Sequence, residues 1–189
     1  MNKKELRKSF RKQLSPQMLE AAGKQALEML MGWLPFREAR CIAGYWPLPW
    51  ELDTRPINQH IWKSGRVLCL PRVAADGRMD FYRTDSVADL QRGAYGLWEP
   101  QPQALPVSPE MIDLMLVPCE ALDARGTRLG KGGGYYDRYL PLVDCPKISL
   151  LLPHQFSIVP LPFDPHDVPV DFYGIEGKVI PCERNSSNG

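Results

Sequence analysis

A glycine-rich segment in the C-terminal half of the chain has residue types that could bind phosphate. Residues 126–140 read GTRLGKGGGYYDRYL, and four of the five residues from 130 to 134 are glycines. Glycines allow positive φ angles, so the backbone can direct several N–H groups at one anion. The helix predicted to follow adds its N-terminal dipole, and Arg128 and Lys131 add full positive charges. The segment therefore predicts a phosphate-binding loop.

The loop differs from two common nucleotide-binding motifs. Three residues, where a Walker A loop has four, separate Gly126 from Gly130, and Gly132 stands where that loop has a magnesium-binding Ser or Thr. The pattern G-x-G-x-x-G does not fit either. Without the hydroxyl, a carboxylate is expected to bind the metal ion. Asp137, one turn into the helix, is the first candidate and Asp171 is the second.

Two simpler interpretations remain open. The glycines could form only a structural turn between a helix and a sheet, although four glycines with two cations favour the phosphate site. Asp171 could cap or pin an edge strand instead of binding a metal ion.

The size and charge of the chain restrict the class of protein. With 189 residues, 44% of them hydrophobic and 24% charged, the chain is long enough for one hydrophobic core and short for two. We therefore predict a single domain over residues 1–189, ending in a disordered tail at 184–189. A net charge of +1 gives no reason to expect nucleic acid or an anionic membrane as a partner. Residues 1–5 (MNKKE) lead into charged residues rather than an apolar stretch, and no apolar run could span a bilayer, which predicts a cytoplasmic protein.

The cysteines and histidines do not predict a metal centre. Five cysteines are scattered without a C-x-x-C pair, and the chain has three histidines. We expect reduced thiols and no histidine-rich metal site. His166, between Pro165 and Asp167, is expected to be a surface loop residue.

Hydrophobic spacing predicts the helices that position these groups. In residues 3–14 an apolar stripe at i, i+4 spacing has basic residues beside it, Lys3, Arg7 and Arg11. These cations are therefore expected to point toward the body of the protein. Ser15 is the predicted N-cap of the next helix. Further helices are predicted over residues 16–33, 54–65 and 135–140.

Short apolar runs between the helices predict strands. The run 111–117 is apolar almost throughout, as expected for a central strand covered on both faces, and 168–173 is typical of an edge strand. Residues 86–109 carry several prolines and glycines and predict a long ordered loop. Other strands are predicted over residues 41–46, 67–70, 79–82, 147–152 and 178–180.

The order of these elements predicts where the glycine loop lies. A strand at 111–117, the loop, a helix and a strand at 147–152 form a βαβ unit, with the loop at the carboxyl end of a central strand. Open α/β sheets bind their ligands there. We predict an α/β fold, a single domain with a mixed, mostly parallel sheet flanked by helices and with a basic N-terminal helix.

The sequence resembles the 5-formyltetrahydrofolate cyclo-ligases, also called 5,10-methenyltetrahydrofolate synthetases. The most specific match is RLGKGGGYYDRYL at residues 128–140, and the resemblance extends over most of the chain. It implies a single α/β domain. Weaker matches occur in the family's order at residues 3–7 (KKELR), 51–54 (ELDT), 70–72 (LPR), 96–100 (GLWEP) and 168–171 (VPVD).

The resemblance also implies a reaction. An enzyme of this family uses ATP and Mg²⁺ to convert 5-formyltetrahydrofolate into 5,10-methenyltetrahydrofolate, releasing ADP and phosphate. The formyl oxygen attacks the γ-phosphate, N10 attacks the activated carbon, and phosphate leaves, so the protein mainly positions groups and neutralises charge. We expect a small-molecule folate substrate, ATP and Mg²⁺ as cofactors, and a monomer.

Site residues are carried over from the family by motif. The resemblance implies Mg²⁺ at Asp137 and Asp171, and the pterin at Glu51, because a carboxylate pairs with the pterin N–H groups. It implies catalytic roles for Arg128, Lys131 and Tyr135. The folate pocket is implied at Trp46, Glu51, Lys131, Gly132, Gly133, Gly134 and Tyr135. ATP is implied to contact Lys3, Lys4, Glu5, Leu6, Arg7, Arg128, Leu129, Gly130, Lys131, Gly132, Gly133, Gly134, Tyr135 and Tyr136.

Other functions remain open on the residues alone. A non-catalytic nucleotide- or folate-binding protein would have the same loop but would not catalyse a reaction. A small-molecule kinase would transfer phosphate stably to its acceptor. Without the resemblance, Lys3 and Arg7 would also fit an ordinary solvated helix face.

Overall fold

The first helix of the computed structural model, which describes residues 2–93 and 96–183, is α1 (Lys3–Phe10). Asn2 and Glu5 form a capping box at its start, each side chain accepting a hydrogen bond from the other's backbone N–H. The helix ends before the predicted residue 14, because Arg11 leaves it with an extended backbone (ψ 119°). No residue of α1 is buried, so tertiary packing does not prolong it.

A layer of three helices covers one face of the sheet. In α2 (Pro16–Met31) the Ser15 side chain accepts a hydrogen bond from the Met18 N–H at 3.2 Å, which confirms the predicted N-cap. The layer also contains α3 (Leu34–Glu38), which the sequence did not predict, and α4 (Arg55–Lys63). The buried stripe of α2 consists of Leu19, Gly23, Ala26 and Leu30.

Thirteen strands lie in the described residues. They are β1 (Cys41–Ala43), β2 (Val67–Val73), β3 (Met79–Thr84), β4 (Leu90–Arg92), β5 (Trp98–Pro100), β6 (Pro106–Val107), β7 (Leu114–Leu116), β8 (Ala121–Asp123), β9 (Arg128–Leu129), β10 (Lys147–Leu151), β11 (Phe156–Ser157), β12 (Phe172–Ile175) and β13 (Lys178–Pro181).

Eight of these strands form the central sheet, in the order β13-β12-β10-β7-β1-β2-β3-β6. The five strands from β12 to β2 run parallel to one another, and antiparallel pairs extend both edges. The predicted fold class, a mixed and mostly parallel sheet in a single α/β domain, is confirmed. Two small sheets accompany it, β11-β8-β9 and the β4–β5 hairpin. No helix in the described ranges is long and apolar enough to cross a membrane.

Alternate residues of the central strands fill two cores, one on each face of the sheet. Ile42 and Leu114 point into the core beneath α2, α3 and α4. Cys41 and Met115 point into the opposite core. The second core also packs against α5 (Tyr135–Tyr139), the helix that follows the glycine loop. Because α5 packs against this core, the sheet fixes the position of the glycine loop that precedes α5.

The predicted βαβ unit is confirmed, but its connection is longer than expected. β7 and β10 are adjacent and parallel, and α5 lies in the connection between them. The β8–β9 hairpin is inserted between β7 and the glycine loop. The loop therefore follows β9 directly, rather than the central strand itself.

Several predicted boundaries were wrong. β1 ends at Ala43 rather than residue 46, and β7 begins only at Leu114, because Pro109–Met111 forms a 3₁₀ turn. The strand predicted at 168–173 begins at Phe172 and is not an edge strand, since β13 pairs with it. The predicted loop at 86–109 contains β4, β5 and β6, while Ala94 and Tyr95 lie outside the described residues, as does the predicted tail at 184–189.

Candidate active-site cleft

The glycine loop lines a cleft of about 1300 Å³. Its other walls are α1, the segment 45–55, the ends of β2 and β3, the β4–β5 hairpin and the loop 164–167. These parts are far apart in sequence, so only the folded sheet brings them together.

Two glycines of the loop have backbone conformations that side chains disfavour. Gly132 has φ +102° and Gly134 has φ +65°. Gly134 is also the N-cap of α5. A Cβ atom on Gly132 would lie 3.5 Å from the guanidinium of Arg7. That distance is an ordinary van der Waals contact, so the positive φ angles of the turn, rather than the approach of the cation, favour glycine at these positions.

Arg128 and Asp137 form an ion pair at the floor of the cleft. The Arg128 Nη2 donates to Asp137 Oδ1 at 2.5 Å, and the Arg128 side chain is only 3% exposed. The same carboxylate oxygen accepts from the Val168 N–H at 3.1 Å. The Arg128 Nε and the Tyr136 hydroxyl are buried and have no hydrogen-bond partner in the described chain. Buried polar atoms of this kind need a partner, so these two suit a polar ligand.

Burial keeps the Tyr136 hydroxyl protonated. Desolvation raises the pKa of Tyr136 above its ordinary value, and the nearby Glu51 carboxylate raises it further, with Arg128 opposing. The Arg128 guanidinium lies 5.8 Å from the centre of the Tyr136 ring. A neutral phenol beside a cation can donate a hydrogen bond to an anionic ligand.

A second ion pair lies on the other side of the loop. The Lys131 ammonium contacts the carboxylate of Glu51, whose other oxygen accepts from the Leu48 N–H at 2.8 Å. Glu51 is 8% exposed, whereas the Lys131 side chain is 36% exposed. Trp46, half-buried, lines the same region. The arrangement places a carboxylate and an aromatic ring next to the loop, which would suit a heterocycle with N–H groups.

Lys3 and Arg7 of α1 point toward the body of the protein, as predicted, and both line the cleft. Arg7 Nε donates to the carbonyl of Gly130 at 2.6 Å, which ties the helix to the glycine loop. Lys3 Nζ lies 2.7 Å from both Asp164 and Asp167. Burial opposes the charge on Lys3, but the two carboxylates outweigh it and raise the pKa of Lys3. Burial likewise opposes the charge on Asp167, and the bonds from Lys3 and from the Asp164 backbone outweigh it and lower the pKa of Asp167.

Comparison with known proteins identifies the family. The model of the 5-formyltetrahydrofolate cyclo-ligase family matches residues 1–173. The chain belongs to this family of enzymes.

Relatives and solved structures of the cyclo-ligase family agree with this assignment. The chain is 31% identical over 133 residues to 5-formyltetrahydrofolate cyclo-ligase of Escherichia coli strain K12, covering 69% of this chain and 73% of the relative. It is 28% identical over 150 residues to the Mus musculus enzyme of that name, covering 72% and 73%.

The Aquifex aeolicus 5,10-methenyltetrahydrofolate synthetase, solved by NMR, superimposes with a TM-score of 0.85 at 34% identity, covering 100% of this chain and 97% of that one. The Mycoplasma pneumoniae 5,10-methenyltetrahydrofolate synthetase, at 24% identity and a TM-score of 0.72, shares the fold, covering 92% and 98%. The resemblance found in the sequence is confirmed.

The structure brings most of the residues implied by the cyclo-ligase resemblance to one cleft. Lys3, Arg7, Trp46, Glu51 and every residue from 128 to 137 line it. Their individual roles stay predictions. The helix predicted after the loop exists, although α5 has only five residues.

Lys4, Glu5 and Leu6 are exceptions to this convergence, because none of the three lines the cleft. Lys4 is exposed, Glu5 closes the capping box of α1, and Leu6 packs against a small apolar cluster that contains Leu129. On a helix, neighbouring residues face different directions, so the KKELR motif cannot deliver five side chains to one ligand. The geometry supports only Lys3 and Arg7 in that role.

Asp171 is not brought to the cleft. Its carboxylate accepts a hydrogen bond from the Lys147 N–H at 2.9 Å, and it lines a separate depression of about 380 Å³. This contact fixes the start of β10, which matches the simpler interpretation of a carboxylate that pins a strand. The structure therefore does not place Asp137 and Asp171 around one metal ion of the cyclo-ligase cleft.

Two groups in the cyclo-ligase cleft were missed by the sequence analysis. In the loop 164–167, side-chain ligand atoms of Asp164, His166 and Asp167 lie within 4.8 Å of one another. His166 is exposed, as expected, but at the rim of the cleft. In the β4–β5 hairpin, Arg92 stacks on Trp98. The DPHD sequence at 164–167 was a signal for the first group, and nothing local indicated that Lys3 would meet it.

Proposed function

We propose that this protein catalyses the ATP- and Mg²⁺-dependent cyclisation of 5-formyltetrahydrofolate to 5,10-methenyltetrahydrofolate, with release of ADP and phosphate. The observation that carries the proposal is the Glu51–Lys131 contact, which puts the carboxylate expected to bind the pterin directly beside the phosphate loop. A reaction between a formyl group and a phosphate needs these two sites to be adjacent.

The phosphate side of the site is assembled from cationic side chains around the glycine loop. Lys131, Arg7 and Arg128 surround the glycine loop, and the unpartnered Nε of Arg128 offers one further donor. Charge-assisted hydrogen bonds from such groups stabilise phosphate oxygens and the charge that develops during transfer.

Asp137 fits the expected magnesium ligand. Its Oδ1 accepts two hydrogen bonds, whereas its Oδ2 accepts none from the described residues, so a hard oxygen ligand remains available at the cleft. Mg²⁺ held there would neutralise charge on the β- and γ-phosphates. Asp171 is not part of the proposed metal site, because its carboxylate lies outside the cleft.

The residues act by positioning the two reactants. In the proposed sequence the formyl oxygen bonds to the γ-phosphorus while the bond to ADP breaks. N10 then attacks the formyl carbon and loses its proton, and the C–O bond breaks so that the oxygen departs as phosphate, which takes up that proton. Glu51 would hold the pterin N–H groups, Trp46 and Tyr135 would line the folate pocket, and Arg128, Lys131 and the neutral Tyr136 would stabilise the transferred phosphate. None of these steps requires a histidine.

An absorbance assay for the methenyl product tests the proposal. We expect an ATP-dependent rise with 5-formyltetrahydrofolate and MgATP, and a loss of at least about 100-fold in kcat/KM for Asp137→Asn. Asp171→Asn is the matched control and should keep the magnesium dependence of the wild type.

Other outcomes would indicate a different function or a different metal ligand. ATP and folate binding without turnover would sink the proposal and favour a binding protein. A stable phosphorylated acceptor, in place of free phosphate, would indicate a kinase. A magnesium dependence shifted equally by both aspartate variants would contradict the assignment of the metal ion to Asp137 alone.

A further inference from the structure

The stretch of chain from Tyr45 to Glu51, which we call the Glu51 segment, lines the cleft along its whole length. The Leu48 N–H donates to Glu51 Oε2 at 2.8 Å, and the Glu51 N–H donates to the Leu48 carbonyl at 3.0 Å. Both bonds lie within the segment, so they fix the shape of its turn but not its position against the sheet. Lys131 also contacts Glu51, but both groups are assigned to ligands in the proposed function.

Two side chains at the start of α4 hold the other end of the Glu51 segment. Thr54 Oγ1 donates to the Tyr45 carbonyl at 2.7 Å, and Asn58 Nδ2 donates to the same carbonyl at 3.2 Å. Both residues are 0% exposed. A carbonyl oxygen has two lone pairs, so two donors satisfy it and fix its direction. We call Thr54 and Asn58 the Tyr45 clamp.

The Tyr45 clamp lies where the chain leaves the central sheet, at the carboxyl end of β1. The Gly44 N–H still donates to the Cys69 carbonyl of β2 at 2.9 Å, whereas the carbonyl of Tyr45, one residue later, is bonded to the clamp instead. Asn58 packs closely there, because a Cβ atom on Gly44 would lie only 3.2 Å from Asn58 Oδ1. The clamp therefore sets the direction in which the Glu51 segment departs from β1.

The stability of α4 does not explain the two residues of the clamp. Thr54 is the N-cap of α4, yet its side chain forms no capping hydrogen bond within the described residues. Asn58 lies in α4, where Asn is a poorer helix former than Leu. Its Oδ1 is buried without a hydrogen-bond partner in the described chain, which costs free energy. Residues that break local rules in this way are expected at functional sites.

We propose that Thr54 and Asn58 are positioning residues for the pterin side of the site, acting through the Tyr45 carbonyl. This proposal rests on the proposed function. Pro47 and Pro49 fix φ at two residues between Tyr45 and Glu51, so a shift of the Tyr45 carbonyl is passed along the segment. A displacement of Glu51 by about 1 Å would weaken its hydrogen bonds to the pterin N–H groups.

The clamp residues act on the folate only through the segment, because neither of them lines the cleft. Substitutions there should therefore change folate binding without changing the phosphate loop. A merely structural role predicts a different pattern, in which the melting temperature, kcat and both KM values change together.

Steady-state kinetics of Thr54→Val and Asn58→Leu test the clamp, since each change removes one donor with little change of shape. We expect each variant to raise the folate KM about 3- to 10-fold. The KM for ATP and kcat should stay within about twofold of the wild type. Thr54→Ser, which keeps the hydroxyl, should retain nearly the wild-type folate KM. Asn58→Leu should not lower the melting temperature, because it removes an unsatisfied oxygen and improves helix propensity.

Thr84→Val is the matched control for Thr54→Val. Thr84 is 1% exposed, and its Oγ1 donates to the Leu68 carbonyl at 3.3 Å, outside the cleft. The same substitution there removes the same kind of buried bond and should leave the folate KM unchanged. An equal rise in the folate KM for Thr54→Val and Thr84→Val, or an equal rise in the KM for ATP and the folate, overturns the proposal.

Hydrogen–deuterium exchange followed by mass spectrometry separates failure of this proposal from failure of the proposed function, because it needs neither ligand nor turnover. Peptides that cover residues 44–52 should exchange faster in Thr54→Val and Asn58→Leu than in the wild type, and not in Thr84→Val. Faster exchange in these variants, with no cyclisation by the wild type, would overturn the proposed function but not the positioning of Glu51. Unchanged exchange overturns the clamp whether or not the wild type is active.

Discussion

Arg11 and Glu120 form a bidentate pair that ties the end of α1 to the strand hairpin carrying Arg128. Arg11 Nε lies 3.1 Å from Glu120 Oε2, and Arg11 Nη2 lies 2.9 Å from Oε1. The Glu120 N–H donates to the carbonyl of Leu129 at 2.7 Å, one residue before the glycine loop. Because Arg7 contacts the loop from the same helix, the pair fixes the distance between Arg7 and its target.

We predict that Arg11→Met raises the KM for ATP about 3- to 10-fold, because Arg7 is no longer held at Gly130. Arg11→Lys, which keeps the charge but loses the fork, should give an intermediate value. Lys12→Met, an exposed neighbour, is the control. A fall in kcat with unchanged KM, or equal effects of the Arg11 and Lys12 changes, would contradict the role.

A second prediction concerns the contact between α2 and the segment that carries Glu51. Gly23 lies so close to residue 53 that a Cβ atom on it would be 1.9 Å from the Asp53 carbonyl oxygen. Alanine at this position gains up to about 1 kcal/mol of helix propensity. The clash is with backbone and cannot be relieved by a rotamer change. We therefore expect Gly23→Ala to lower the free energy of unfolding by at least about 1–3 kcal/mol.

Urea denaturation measures this change in the free energy of unfolding. The matched control is Gly32→Ala, because a Cβ atom there meets nothing closer than 3.5 Å and the backbone is in the ordinary helical region. We expect its effect to stay within about 0.5 kcal/mol. A Gly23→Ala protein as stable as the wild type would show that α2 can move away from Asp53.

The site could be predicted from sequence where its signal is local. The glycines of residues 130–134 and the cations beside them form one short motif, and helical periodicity was enough to predict that Lys3 and Arg7 point toward the body of the protein. Contacts between distant segments gave no such signal. Lys3 meets Asp164, 161 residues away, and Lys131 meets Glu51, 80 residues away. Glu51 was reached only through the family resemblance.

The fold shows the same division between local and long-range information. The capped helix α2 and the buried strand β7 were predictable because caps and continuous apolar runs act within a few residues. The edge position predicted for 168–173 was wrong because β13 pairs with β12, and the residue pattern of a single strand does not show which strands lie beside it. Asp171 was assigned to a metal ion because residue type alone does not distinguish a metal ligand from a carboxylate that holds a strand in place.

The cysteines give a prediction about pH. All five are free thiols, as expected from their spacing. Burial raises the pKa of Cys119 to about 12, that of Cys182 to about 12 and that of Cys145 to about 11. The thiolate fraction of each is therefore very small at neutral pH and rises about tenfold per unit of pH below its pKa.

Alkylation by iodoacetamide, mapped by mass spectrometry, tests this at several pH values. Cys145 is partly exposed and should react faster as pH rises toward about 11, whereas Cys119 should stay unmodified in the folded protein. All five should react at neutral pH in urea once burial is lost. Rapid modification of native Cys119 near pH 7 would contradict the structure around it.

Glu51 and Lys131 are in contact but belong to different parts of the proposed site, so substitutions at these residues test the pterin part and the phosphate part separately. Glu51→Gln keeps the side-chain shape and an oxygen for the Leu48 N–H, but removes the charge expected to bind the pterin. Its folate KM should rise about 10- to 100-fold with little change in the KM for ATP. Lys131→Met should raise both, because it removes a cation from the loop and leaves the nearly buried Glu51 without its partner.

Initial rates over a grid of ATP and folate concentrations give both constants for each variant. Glu110→Gln, an exposed carboxylate in the 3₁₀ turn before β7, is the charge-matched control and should match the wild type. If Glu51→Gln raised the KM for ATP as strongly as that for the folate, Glu51 would act through Lys131 on the phosphates. The pterin would then have to be held by another residue of the cleft.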